Sequence, residues 1–170
     1  MSEKSARARG KRFGERRAKL IETLWGDDLE SLKIWNRLEQ DGYTTIPRTL
    51  PYIIRVMDSL SEKGMPLAST YLALWCRVFD EGFIEIKDKE TLSYESGFSG
   101  QRAVHTWNGR MKALKDLGFI DSKSGPHGDF QYVIIKNPLW VIKEIYINKE
   151  KNEAYNMLAT RMIDVGAKWE

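Results

Sequence analysis

Apolar residues along this chain recur mostly at three- and four-residue intervals, the spacing of helices that bury one face. Leu20, Ile21 and Leu24 place a first helix from about Glu15 to Trp25, broken by Gly26. Asp27 or Asp28 then caps a second, carrying Leu29, Leu32, Trp35 and Leu38 and ending at Asp41-Gly42. Residues 43–49 read as a connection. A third helix follows from Thr49 and Pro51, with Ile53, Ile54, Met57 and Leu60 on its apolar side and Gly64 closing it. Pro66 opens a fourth, whose stripe of Leu67, Tyr71, Leu74, Trp75 and Val78 runs towards Asp80.

After Gly82 the period changes to two. Phe83-Ile84-Glu85-Ile86 alternates as a short strand, and residues 88–96 return to a short helix halted by Gly97. Residues 99–117 then predict a longer helix with Val104, Trp107, Met111, Leu114 and Leu117 on one side, at about 100° per residue. Residues 119–123 and 130–135 flank the turn cluster Ser124-Gly125-Pro126-His127-Gly128-Asp129 and predict a hairpin. Asn137-Pro138 starts a helix carrying Leu139, Ile142 and Ile145, and a last helix covers about Glu153 to Val165. The fold class expected is therefore mainly α with one small β-hairpin.

Composition narrows the function classes. In 170 residues, 42% are hydrophobic and 30% charged, the balance of a folded chain rather than a disordered one. No apolar run approaches the ~18 residues of a membrane span. The basic N-terminus has no apolar segment behind it, which argues against a secretory signal. The single cysteine, Cys76, falls in a helical apolar pattern and is expected to be a buried thiol in a reducing cytoplasm. Phosphate-loop and dinucleotide glycine spacings are absent from the sequence, and two distant histidines with one cysteine make no zinc site. The expectation is a protein that is not an enzyme and takes no cofactor.

The formal charge of +3 is unevenly distributed. Residues 1–19 hold eight Lys/Arg against two Glu, net +6, so the other 151 residues sum to −3. Residues 1–14 read as a flexible basic arm, with Arg7, Arg9, Lys11 and Arg12, followed by Arg16 and Arg17, available to a phosphate backbone. Residues 99–136 hold six Lys/Arg against three Asp, a local +3. On the side of helix 99–117 opposite Trp107 lie Arg102, His105, Gly109 and Lys112, flanked by Gln101, Thr106 and Asn108. Arginine can bond guanine in a bidentate manner, Asn or Gln adenine, and lysine supplies charge to phosphates. Asp116 lies in the last turn of the same side, so contact would involve the first part of the helix. Lys123 and His127 sit on the hairpin.

The order from 66 to 136 is helix, strand, helix, helix, strand, turn, strand. With Leu92, Gly97-Phe98-Ser99, Thr106-Trp107, Met111, Leu114, Leu117 and Gly118-Phe119-Ile120, it resembles the winged helix-turn-helix superfamily. The resemblance implies a winged helix at 66–136, between an N-terminal helical region at 15–65 and C-terminal helices at 137–170. Trp107 lies eight residues after Ser99, where the family places it about four after the cap. Either the recognition helix has an extra turn or residues 100–103 lengthen the loop. The family implies duplex DNA as partner, read by helix 99–117 with the wing at 119–135 along the backbone. A transcriptional regulator or a plasmid or phage replication or partition factor fits that use. The alternative is a winged-helix subunit that binds another protein and touches DNA weakly or never. The apolar residues of 139–165 suggest a homodimer on a palindromic site.

Overall fold

The computed structural model describes residues 3–28, 31–79 and 81–169, and of the side chains before residue 14 only Arg12. The chain divides into two units, residues 1–43 and 44–170.

In the first unit, α1 runs Glu3–Trp25 and a single 3-10 turn covers Gly26–Asp28. The flexible arm expected over 1–14 is thus helical from Glu3. Its Ala, Arg, Lys and Glu content favours a helix, and this outweighs the cost of Gly10 and Gly14. The side chains of Arg7, Arg9 and Lys11 lie outside the described residues, whereas Arg12, Arg16 and Arg17 are exposed. The second helix expected from Asp27 or Asp28 does not form among the described residues, and Leu29 lies outside them. Lys33 adopts φ 45, and Asn36 closes a local turn by accepting the Leu38 N–H at 3.1 Å and donating to Glu39 at 2.6 Å. Such side-chain bonds compete with a helical ladder. Leu32, Trp35 and Leu38 stay exposed, so no burial offsets that competition.

The second unit holds a single core. α2 (Leu50–Leu60) buries Leu50, Ile53, Val56 and Met57. It ends at Ser61, three residues before Gly64, where the Ser61 N–H bonds the Met57 carbonyl at 3.1 Å. α3 (Ala68–Trp75) is shorter than its apolar stripe. The Asp58 carboxylate accepts the Leu67 N–H at 2.7 Å and sets its start. The helix stops before residue 76, and Asp80 lies outside the described residues. Cys76 is consequently exposed rather than a buried thiol: it sits five residues past buried Tyr71, off the Tyr71–Leu74–Val78 stripe.

β1 (Phe83–Glu85), α4 (Lys89–Glu95), α5 (Ala103–Asp116), β2 (Ile120–Gly125) and β3 (Gly128–Ile135) follow. The strands form one antiparallel sheet in the order β1-β3-β2, with Ile84 and Ser122 both in register with Val133. α4 is capped by Asp88, which accepts from Glu90 N–H at 2.9 Å and Thr91 N–H at 3.1 Å. α5 begins at Ala103, not at Ser99. Gly100 takes φ 80 and its carbonyl accepts the Ala103 N–H at 3.0 Å, so residues 99–102 form a turn that Ser99 does not cap. Of the two readings of the long spacing, the lengthened loop is the one observed. Trp107 is then the fifth residue of the helix, five after its N-cap Arg102.

α6 (Pro138–Ile145) and α7 (Glu153–Val165) carry side-chain caps from Asn137 and Asn152. Val141, Ile142, Tyr146, Leu158 and Met162 are buried in the same core as α2, so the apolar residues that suggested pairing of two copies pack largely within the chain. Trp107, Tyr71 and Phe119 are the largest wholly buried side chains of the unit. Counted over the described residues, the chain has seven α-helices and three short strands, a mainly helical architecture, and none of its helices is long and apolar enough to cross a membrane.

Candidate functional site

The buried stripe of α5 is Trp107, Met111 and Leu114, and this fixes which side chains face outward. Gln101 and Arg102 are exposed in the turn that leads into the helix, where the Arg102 carbonyl accepts the Thr106 N–H at 2.9 Å. His105 and Lys112 are exposed, while Thr106, Asn108 and Gly109 are half-buried. Among the described residues no ion pair engages Arg102, His105 or Lys112. Lys123 is exposed on β2 opposite Tyr132, and His127 is exposed at the hairpin tip.

The hairpin is fixed to α5 rather than projecting freely. The Trp107 and Phe130 rings meet edge to face, centroids 6.2 Å apart. Lys115 donates to the Ser122 carbonyl at 2.9 Å and to its hydroxyl at 3.0 Å. Inside the turn, Gln131 is buried and its side chain accepts the His127 N–H at 2.8 Å and donates to Tyr132 Oη at 3.1 Å. A Cβ at Gly125 would collide with the buried Gln131 side chain and stand 2.8 Å from the Tyr132 ring, so both would have to shift to admit a side chain there.

Between α5, the start of α4 and the hairpin lies an open hollow of about 370 Å³ lined by Lys89, His105, Asn108, Gly109, Lys112, Asp129 and Phe130. It gathers four of the residues expected from sequence: His105, Asn108, Gly109 and Lys112. Gln101, Arg102, Thr106, Lys123 and His127 do not line it. The Oδ1 of Asn108 is buried and has no hydrogen-bond partner among the described residues. Comparison with protein-family models, curated proteins and solved structures returned no match.

Lys89, Asp129 and Phe130 were not legible as members of this site. Lys89 comes from another helix, and its Nζ lies 3.3 Å from where a Cβ on Gly128 would stand, which puts its charge at the hairpin. The neighbouring Asp88 carboxyl is held below its ordinary 3.8, first by the Thr91 hydroxyl and then by the Thr91 and Glu90 N–H groups. On the other side of α5, Gly109 and Lys112 border a second hollow of about 400 Å³ with Glu62, Met65 and Asp116. The outward side of the helix therefore changes character across Gly109 and Lys112: cationic towards the hairpin, acidic towards the loop between α2 and α3. Arg110, also unforeseen, is turned to that loop, donating to the Gly64 carbonyl at 3.3 Å with its guanidinium 5.8 Å over the Phe98 ring.

Proposed function

We propose that this chain is a duplex-DNA-binding protein of winged-helix type, acting as a transcriptional regulator or a plasmid or phage replication or partition factor. What supports the fold assignment is the order α3-β1-α4-α5-β2-β3 together with the sheet order β1-β3-β2. The observation that carries the functional reading is the convergence of Lys89, His105 and Lys112 on one open hollow beside the hairpin, with Arg102 exposed at the start of the same helix. Lys89 and Lys112, which no ion pair engages among the described residues, are available to neutralise phosphates. Gln101, Arg102, Thr106 and Asn108 carry the donors that read base edges. In this mechanism the first half of α5 enters the major groove, Lys123 and His127 follow the backbone from the hairpin, and the basic half of α1, Arg7 to Arg17, adds charge. Asp116 and Glu62 keep the far end of α5 away from phosphate.

The test is fluorescence anisotropy on random and selected duplexes across a salt series. Affinity is expected to fall steeply with salt, and Lys112→Ala to reduce the logarithmic salt slope by about 1 across all sequences. Arg102→Ala is expected to cost about 1–3 kcal/mol on the preferred site and to relax its specificity. Absence of binding at low salt overturns the reading and favours a protein-binding subunit, for which the acidic hollow beside Lys112 would be the first surface to examine.

A further inference from the structure

Among the described residues of the first unit, nothing covers the apolar side of α1. Along α1, Leu20 and Leu24 are 55% and 60% exposed and Trp25 is 48% exposed. With Arg17, Ile21, Leu32 and Ile34 they line a hollow of about 550 Å³ whose walls are almost wholly apolar. Trp35, Leu38 and Tyr43 extend the exposed apolar surface along the same unit. Folded chains seldom leave contiguous apolar patches beyond a few hundred Å² without a partner to cover them.

Charge in this unit is strongly polarised. Residues 1–19 carry net +6, whereas residues 20–43 hold six acids against two bases, net −4. We propose that the occupant of the apolar groove is the α1 helix of a second copy of this chain, laid antiparallel. In an antiparallel pair, residues whose numbers sum to a constant stand opposite each other. Setting Leu20 opposite Leu24 of the other copy places Arg17 opposite Asp27 and Arg16 opposite Asp28. One register thus pairs these apolar and charged positions, while Glu22, which the same sum sets opposite its own copy, lies two residues from both leucines and so on the far side of the helix. The paired stretch is α-helical from Arg17 to Trp25 and ends in the 3-10 turn, spanning about 16 Å to Asp27 at 1.5 Å and then about 2 Å per residue. A parallel pair would instead superpose two basic halves and two acidic tails. Arg16, Arg17, Asp27 and Asp28 are exposed, and no ion pair engages them among the described residues. Residues 4–12 extend beyond the paired stretch, so their charge stays available to a polyanion. This assignment is independent of whether α5 binds DNA.

Sedimentation equilibrium of the full chain without DNA tests it. The expected mass at high micromolar concentration is twice the 19.7 kDa of one chain. Leu20→Glu with Leu24→Glu should give a monomer whose circular dichroism and thermal midpoint show the second unit still folded. Arg16→Glu with Arg17→Glu should weaken self-association by about tenfold or more, as should Asp27→Lys with Asp28→Lys. All four substitutions in one chain should restore it, because an antiparallel pair then faces acid to base again. A wild-type monomer overturns the proposal, as does a dimer indifferent to the Leu20 and Leu24 changes. Failure of the fourfold variant to regain association overturns the antiparallel register.

Discussion

Gly109 sits mid-helix on the outward side of α5, half-buried between the cationic and the acidic hollow, and a Cβ there would meet nothing within 4 Å. The fold therefore does not need this glycine, which costs a helix about 1 kcal/mol relative to alanine. Gly109→Ala is expected to raise the thermal midpoint by a few degrees, read by circular dichroism. On the proposed function it should also weaken duplex binding, because a methyl group would stand where the helix backbone meets its ligand. A stabler protein with unchanged affinity would mark the glycine as tolerated and nothing more. The outward placement of Gly109, His105 and Lys112 was legible from the sequence, since the helical period relative to Trp107 fixes it. Lys89 was not, because its position depends on how α4 meets the hairpin, a contact no local pattern encodes.

At the scale of elements, the caps decide where the chain turns. Asn152 accepts the Tyr155 N–H at 3.0 Å and the Tyr146 hydroxyl at 3.1 Å, and donates to Ser59 Oγ at 3.3 Å. One side chain thus starts α7 and ties it to the end of α6 and to α2. Asn152→Ala should destabilise the protein by about 1–2 kcal/mol, since it removes an N-cap along with two tertiary bonds. Urea unfolding with an unchanged m-value is the measurement, and a loss below a few tenths of a kcal/mol would refute the role. The hairpin, α6 and α7 could be read from turn chemistry and periodicity because those local signals agree with the core that buries them. The failures have the opposite cause. The stripe of Leu32, Trp35 and Leu38 has helical spacing but stays exposed, and Asn36 and Lys33 turn the backbone aside. Ser99 looked like a cap, yet Gly100 at φ 80 adds a turn before the helix starts.

At the scale of the whole molecule, the buried hydrophobic core of the described residues lies within residues 50–162. A chain of residues 44–170 should accordingly fold alone, with the same cooperative thermal transition as the full chain and tertiary contacts retained by near-ultraviolet circular dichroism. A broadened or lost transition would mean that the first unit contributes to that core. On the dimer proposal the shortened chain would also be monomeric, which separates assembly from folding in one protein.

The attachment of the hairpin to α5 has a consequence for the kinetics of recognition. Trp107 against Phe130, Lys115 on Ser122 and buried Gln131 within the turn hold helix and hairpin together as one body. On the proposed function, a ligand approaching this surface would meet a shape already set, so little conformational entropy would be lost on contact. Complex formation would then follow the frequency of correctly oriented collisions, and the lifetime of the complex would be governed by how quickly its charged contacts let go.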